Sequence, residues 1–197
     1  MIKLSLISLG LIIQLLFCLV PSGFTASYNF PISSLDHTEY YVWGLNLVVP
    51  NGQNITGASI TILNLRNWDN NPNKLYIDLV NSPLPTSGVQ VYTDGEASGD
   101  DVAKLSGYVG MNLDTINNWT TTSQPYTYNF DQSEINTLKN YVTDEKFGIG
   151  LDPDCHYYYD NITLSINTAH VPEPATMFLF GSGLIGLAGL IRRKFRK

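Results

Sequence analysis

The chain has 197 residues, a formal net charge of −6, 44% apolar residues and two cysteines. Between two hydrophobic ends lie about 145 residues, the size of one domain with a sizeable core. In that middle, five basic residues face sixteen acids, a net charge of −11, which repels nucleic acid and anionic membrane surfaces and excludes nucleic acid as a partner.

Lys3 opens the chain, Leu4 to Val20 is nearly all apolar, and Pro21, Gly23, Thr25, Ala26 and Ser27 follow. This order reads as a secretory signal peptide over residues 1–26. Cys18 sits in Leu16-Phe17-Cys18, without the small residues of a lipoprotein site. Removal of the signal leaves Cys155 alone, so no intramolecular disulfide forms and the domain must be stable from its core. A lone exported thiol is expected to be buried, bound, or paired between chains.

Residues 27–170 read as the acidic ectodomain. Tyr40 to Val49 is a strand ending at Pro50-Asn51-Gly52. Ile55 to Trp68 follows, with Ile60 and Ile62 on one face and Thr61, Leu63 and Leu65 on the other, both largely buried. Leu75, Ile77 and Leu79 alternate with Tyr76 and Asp78 as a half-exposed strand. Val89 to Tyr92 is a short strand before the acidic loop Asp94 to Asp101, and Trp119 to Thr122 and Tyr126 to Phe130 are two more. Asp131 and Glu134 form a capping box ahead of Ile135, Leu138 and Val142, which predicts a helix from about Gln132 to Val142. Phe147, Ile149 and Leu151 alternate with glycines, the chain turns at Asp152 to Cys155, and Tyr157 to Ile166 returns to pair antiparallel with that strand. Short strands separated by Gly, Pro and Asn turns predict a mainly β fold, a jelly-roll-like antiparallel β-sandwich with one short α-helix; a smaller β-barrel is the alternative.

Asp152-Pro153-Asp154-Cys155-His156, with Asp160 close behind, is the conspicuous polar constellation. Asp152, Asp154 and Asp160 are candidate oxygen ligands for calcium. The competing reading is a tight turn in which Asp152 or Asp154 accepts backbone amides and Cys155 packs as a small hydrophobe. Adjacent Cys155 and His156 suit neither zinc chelation nor a nucleophile–base pair, because neighbours on an extended segment face opposite ways; His37 and His170 cannot be placed. Asp94 to Asp101 is a second cation candidate. Trp43, Trp68 and Trp119 either stack on sugar rings or fill the core. No nucleophile elbow, phosphate loop, dinucleotide fingerprint or zinc-helix motif is present, so the reading is non-enzymatic, with no cofactor beyond possible calcium.

At the C-terminus, Pro172-Glu173-Pro174 precedes an uncharged run from Ala175 to Ile191, and Arg192, Arg193, Lys194, Arg196 and Lys197 close the chain. The run spans roughly 26 Å as a helix, within the range of membrane-crossing segments. The basic cluster stops translocation and marks the cytoplasmic side.

This order of parts over 171–197 (motif 172–174, transmembrane helix about 175–191, basic tail 192–197) resembles the PEP-CTERM sorting signal of Gram-negative bacteria. The resemblance implies an inner-membrane intermediate, an exosortase that cuts near Pro172-Glu173-Pro174, and release to the cell surface or extracellular matrix. Phe147 to Tyr157 is similar to a stretch in the ectodomains of other PEP-CTERM proteins, which implies a shared surface domain without an assigned activity. The expected role is structural or adhesive in exopolysaccharide or biofilm. A carbohydrate-binding module, possibly calcium-dependent, is the second reading, and a secreted hydrolase the third.

Overall fold

The computed structural model describes residues 23–95, 99–171 and 179–184. Among these, the strands are β1 (Thr25–Asn29), β2 (Ser34–Leu35), β3 (Glu39–Asn46), β4 (Gln53–Asn67), β5 (Lys74–Asn81), β6 (Gly88–Thr93), β7 (Gly110–Asn117), β8 (Gln124–Asn129), β9 (Lys146–Pro153), β10 (Tyr157–Tyr158) and β11 (Asn161–His170). One helix, α1 (Gln132–Tyr141), precedes β9.

All pairings are antiparallel and fall into two sheets, consistent with a β-sandwich. One sheet runs β1-β11-β4-β10-β2, with β8 on the other side of β4. The other runs β6-β3-β9-β5-β7. Ile60, Ile62, Leu164 and Ile166 from the first meet Trp43, Leu79, Phe147 and Ile149 from the second in one core. Phe30 ties the layers together, its ring 5.4 Å from Trp43 and 6.0 Å from Tyr41 in edge contacts.

Several sequence expectations need correction. β9 and the returning strand do not pair. Asp154 N–H still donates to Lys74 O of the second sheet, at 2.9 Å, whereas His156 O accepts from Trp68 N–H beside the first, at 3.1 Å. The chain crosses between sheets in those three residues. The returning segment also breaks in two, β10 and β11, which lie along β4 in a common register: Tyr157 faces Asn67, Tyr158 faces Arg66, and Asn161 faces Leu63.

β4 is not buried on both faces. A bulge lies between Ile62 and Leu65, with Asn64 at φ 55°. Leu63 lies with Thr61 on the outer face, exposed, and the extra residue brings Leu65 back to the face of Ile60 and Ile62. β5 is not half-exposed either, since Asp78 is as deeply buried as Leu79. Trp119 to Thr122 is irregular, its backbone captured by Asn67 N–H to Thr120 O and by Thr122 N–H to Thr120 Oγ1. β1, β2 and β7 were not expected. Thr25 and Ala26 belong to β1 and pair with Asn167 and Ile166, so a signal cut after Ala26 removes the first two residues of that strand.

Residues 179–184 are helical, and among the described residues no helix is long and apolar enough to cross a membrane. The rest of the expected transmembrane helix, Pro172, Glu173, Pro174 and the basic cluster from Arg192 to Lys197 lie outside the described residues.

The helix forms where its cap signals it. Asp131 Oδ1 accepts from Glu134 N–H at 2.8 Å, and Glu134 Oε2 accepts from Asp131 N–H at 2.6 Å. Ile135 and Leu138 then point into the core. Asp131→Ala is expected to cost about 1 kcal/mol, read as a lower midpoint in urea unfolding with an unchanged slope.

Candidate functional site

One end of the sandwich gathers polar and aromatic groups from segments far apart in sequence. β4 ends at Asn67, whose Oδ1 accepts from Trp68 N–H and whose Nδ2 donates to Asp69 O. These bonds turn the chain outward and leave Trp68 58% exposed. Beneath it, Asn73 is buried and joins three segments. Its Oδ1 accepts from Tyr157 O–H at 2.6 Å and Trp119 N–H at 2.8 Å, and its Nδ2 donates to Trp119 O at 3.1 Å. Trp119 is thereby fixed as a wedge, its Nε1–H on Leu65 O, and Trp43 is buried. Of the three tryptophans only Trp68 presents a face for stacking.

Around Trp68 stand His156, with ring centroids 6.5 Å apart, and Tyr158, whose ring lies 4.8 Å from that of His156. Arg66 Cζ lies 5.2 Å above the Tyr158 ring. Asp36 and His37 close the group: His156 Nδ1 is 3.5 Å from Asp36 Oδ2, and His37 Nδ1 is 3.6 Å from Asp36 Oδ1. Cys155 is buried in the core with Sγ 3.9 Å from Asp69 Oδ1, so its neighbour His156 faces outward. Thus Cys155 packs as the turn reading expected.

The calcium candidates separate. Asp160 accepts from Asn64 Nδ2 at 2.5 Å, on the β4 bulge. Asp152 and Asp154 instead meet the acidic loop: Asp152 Oδ2 accepts from Asp101 N–H, and Asp154 Oδ1 from Gly99 N–H at 3.1 Å. The amides they accept come from another segment rather than from their own turn. Asp152 lies on the outer face of the second sheet, two residues from Gly150, which pairs with Asp78. A short 3-10 turn, Val102–Lys104, covers that face. Asp78 and Asp152 are fully buried, and Asp152 Oδ1 has no hydrogen-bond partner among the described residues. Burial first, then the neighbouring Asp100, pushes the Asp78 carboxyl up to about 8. Burial first, then Asp94, Asp101 and Asp100, pushes Asp152 up to about 7.

β11 ends at His170, and the next N–H, that of Val171, donates to Gly52 O at 2.9 Å, one residue before Pro172. From there the sequence is that of the tail described above, and a family model, the PEP-CTERM protein-sorting motif, matches residues 170–194. The chain carries a PEP-CTERM sorting signal. That signal implies a membrane-anchored intermediate, processing by an exosortase, and export to the cell surface. A comparison with curated proteins finds no match. Among solved structures, the crystal structure of Yersinia pseudotuberculosis-derived mitogen is similar over 78% of this chain and 90% of that one, at 11% identity and a TM-score of 0.24; a likeness that weak establishes neither fold nor function.

The sorting motif therefore follows directly on the last strand, and a cut near Pro172-Glu173-Pro174 leaves β11 whole. Sequence reasoning missed Asp36 and Asp78 as site residues and could not place His37. No local motif links Asp36 to His156, and Asp78 looked like the solvent side of an alternating strand.

The two raised carboxyls set a pH dependence. An unfolded aspartate has a pKa near 3.9, so at pH values between there and the folded pKa the folded state holds more protons than the unfolded one. Stability then falls as pH rises. The contribution is complete below about pH 4 and is lost as pH climbs through the folded values near 7 and 8. Lowering the pH from about 9 to about 6 is expected to raise the thermal midpoint by about 10 °C. The Asp78→Asn/Asp152→Asn double variant should flatten that slope, as read by scanning calorimetry.

Proposed function

We propose that the mature protein is a non-catalytic surface or matrix protein with a structural or adhesive role in exopolysaccharide, and that it makes contact through the Trp68 end of the sandwich. The export half of this reading is carried by the sorting signal at residues 170–194. The adhesive half is supported by the exposed aromatic platform of Trp68 and Tyr158, with Arg66 above the latter. Aromatic faces cover the apolar faces of pyranose rings, and the surrounding Asn70, Asn71 and Asp69 supply donors and acceptors for hydroxyls. The two sheets sharing one core support a jelly-roll-like sandwich as the rigid carrier of that platform.

A second reading, a calcium-dependent carbohydrate-binding module, is favoured by one observation. Asp152, buried and with Oδ1 unpartnered among the described residues, lies among Asp94, Asp100 and Asp101, where a divalent ion would relieve like-charge repulsion. In that reading Asp152 and Asp154 hold the ion, and Asp160, placed with Asn64, does not take part.

Two measurements test these readings. The intact mass of the surface-released protein should correspond to a chain ending near Pro172-Glu173-Pro174 in the native host. In the same host without its exosortase, residues 175–197 should remain attached. A tail retained in both hosts would make it a plain membrane anchor. Separately, Trp68→Ala should weaken binding to the host's own exopolysaccharide by at least about tenfold, with the unfolding midpoint unchanged because the ring is exposed. Equal binding by wild type and variant would remove the platform from the proposal. Loss of binding on addition of a chelator, restored by calcium, would move the assignment to the second reading.

A further inference from the structure

We propose that Asp36, His37 and His156 form a binding site for a zinc-class divalent cation. The inference goes beyond matrix adhesion and does not depend on it.

The donor set is two imidazoles and one carboxylate, which suits zinc and its neighbours among the borderline ions rather than calcium. One ligand atom from each of the three residues lies within 4.8 Å of the others. The two resolved separations from the carboxylate, 3.5 Å to His156 Nδ1 and 3.6 Å to His37 Nδ1, exceed the usual N–H···O hydrogen-bond length of about 2.7–3.2 Å. They lie close to the about 3.4 Å edge of a tetrahedron whose corners are about 2.0–2.1 Å from a zinc ion. The two nitrogens face different oxygens of the carboxylate, His156 facing Oδ2 and His37 facing Oδ1, each at a spacing longer than a direct bond and close to that of two ligands on one ion.

The backbone makes this meeting obligatory. β2 and β10 pair antiparallel with Leu35 opposite Tyr157 and Ser34 opposite Tyr158. The next step in that register sets Asp36 opposite His156. His37 then joins because the chain turns at once, with Glu39 N–H on Asp36 O at 3.0 Å. Adjacent residues diverge on an extended strand but can converge across a turn.

Two of the three ligands are held before any ion arrives. Thr38 donates to Asp36 Oδ1 from its N–H at 3.0 Å and from its Oγ1 at 2.8 Å, and Asp36 N–H is bound by Tyr41 Oη at 3.0 Å. The Thr38 bonds fix the orientation of the Asp36 carboxylate. Groups that orient a ligand in this way strengthen metal sites. His156 is flanked by Tyr158 and Trp68. Only His37, exposed on its turn, has rotational freedom to lose. Three protein ligands leave a fourth position for water or for an oxygen donor of a bound molecule, directly beside the Trp68 face.

The test titrates the purified full-length chain, in detergent, with zinc(II) by calorimetry and with cobalt(II) by visible spectroscopy. One zinc per chain and the intense d–d bands of a four-coordinate cobalt ion are expected. His37→Ala and His156→Ala should each weaken zinc binding at least about tenfold and abolish the bands. His170→Ala, a histidine that instead meets Gln53 Nε2, should change neither. His37 is exposed, so its variant folds and keeps the test decisive even if His156→Ala does not. Zinc binding unchanged in His37→Ala, or no zinc bound by the wild type, overturns the proposal.

Discussion

β9 lies in the middle of the second sheet, and its outer face has almost no side chains. Phe147, Ile149 and Leu151 point into the core, while the alternate positions are Gly148 and Gly150 before Asp152. A Cβ on Gly148 would come within 2.9 Å of Pro83, and one on Gly150 within 2.5 Å of Val102 Cγ1. The missing side chains let two distant segments press flat against the sheet. Val102 becomes fully buried as a result. Asp78 and Asp152 flank Gly150 on this face, and the cover that Val102 provides takes them out of water too. The raised carboxyls are thus a consequence of a packing choice made at two glycines. An aspartate at either position on an uncovered sheet would keep an ordinary pKa.

The same closeness explains where sequence reasoning worked and where it failed. Phe147, Ile149 and Leu151 announced a strand because period-2 alternation is local. The Asp131–Glu134 capping box announced the helix because both of its bonds close within four residues. Asp78 defeated the same logic. Its alternation with Ile77 and Leu79 marks the outer face correctly, but what covers that face is a loop more than twenty residues away. At Leu63–Asn64 a bulge shifted the period, and nothing in Ile62-Leu63-Asn64-Leu65 distinguishes a bulge from a strand buried on both sides. The unexpected β1, β7 and β2 are edge or near-edge strands, polar enough that pairing, rather than composition, makes them strands. The sorting tail was the most legible part of all, because its signals are contiguous and need no partner in the folded domain.

The candidate site was legible only in fragments for a related reason. Trp68 and His156 were both visible in the sequence, yet their meeting depends on β10 keeping the register of β11 along β4 across the interruption at Tyr159 and Asp160. Asp36 enters through a two-residue strand, β2, that no propensity argument would single out. Short strands of this kind have little stability alone; their positions are inherited from longer neighbours. Here the inheritance runs from β4 to β10 to β2, and the buried Tyr157–Asn73 hydrogen bond pins the middle member.

The length of β4 finally relates the site to the tail. At roughly 3.3 Å per residue, its 15 residues extend over something on the order of 45 Å. His170 pairs with Gln53 at the start of β4, and Tyr157 pairs with Asn67 at its end. The tail therefore leaves the domain from the end opposite Trp68, Asp36 and His156. While the sorting signal holds the chain, the aromatic and histidine groups lie as far from the point of attachment as the long strand allows. A ligand reaching them need not compete with whatever holds the tail. Cleavage near Pro172 likewise acts on the far end and leaves the Asn73 network undisturbed. Attachment and the proposed contact surface are thus separated by the length of a single strand.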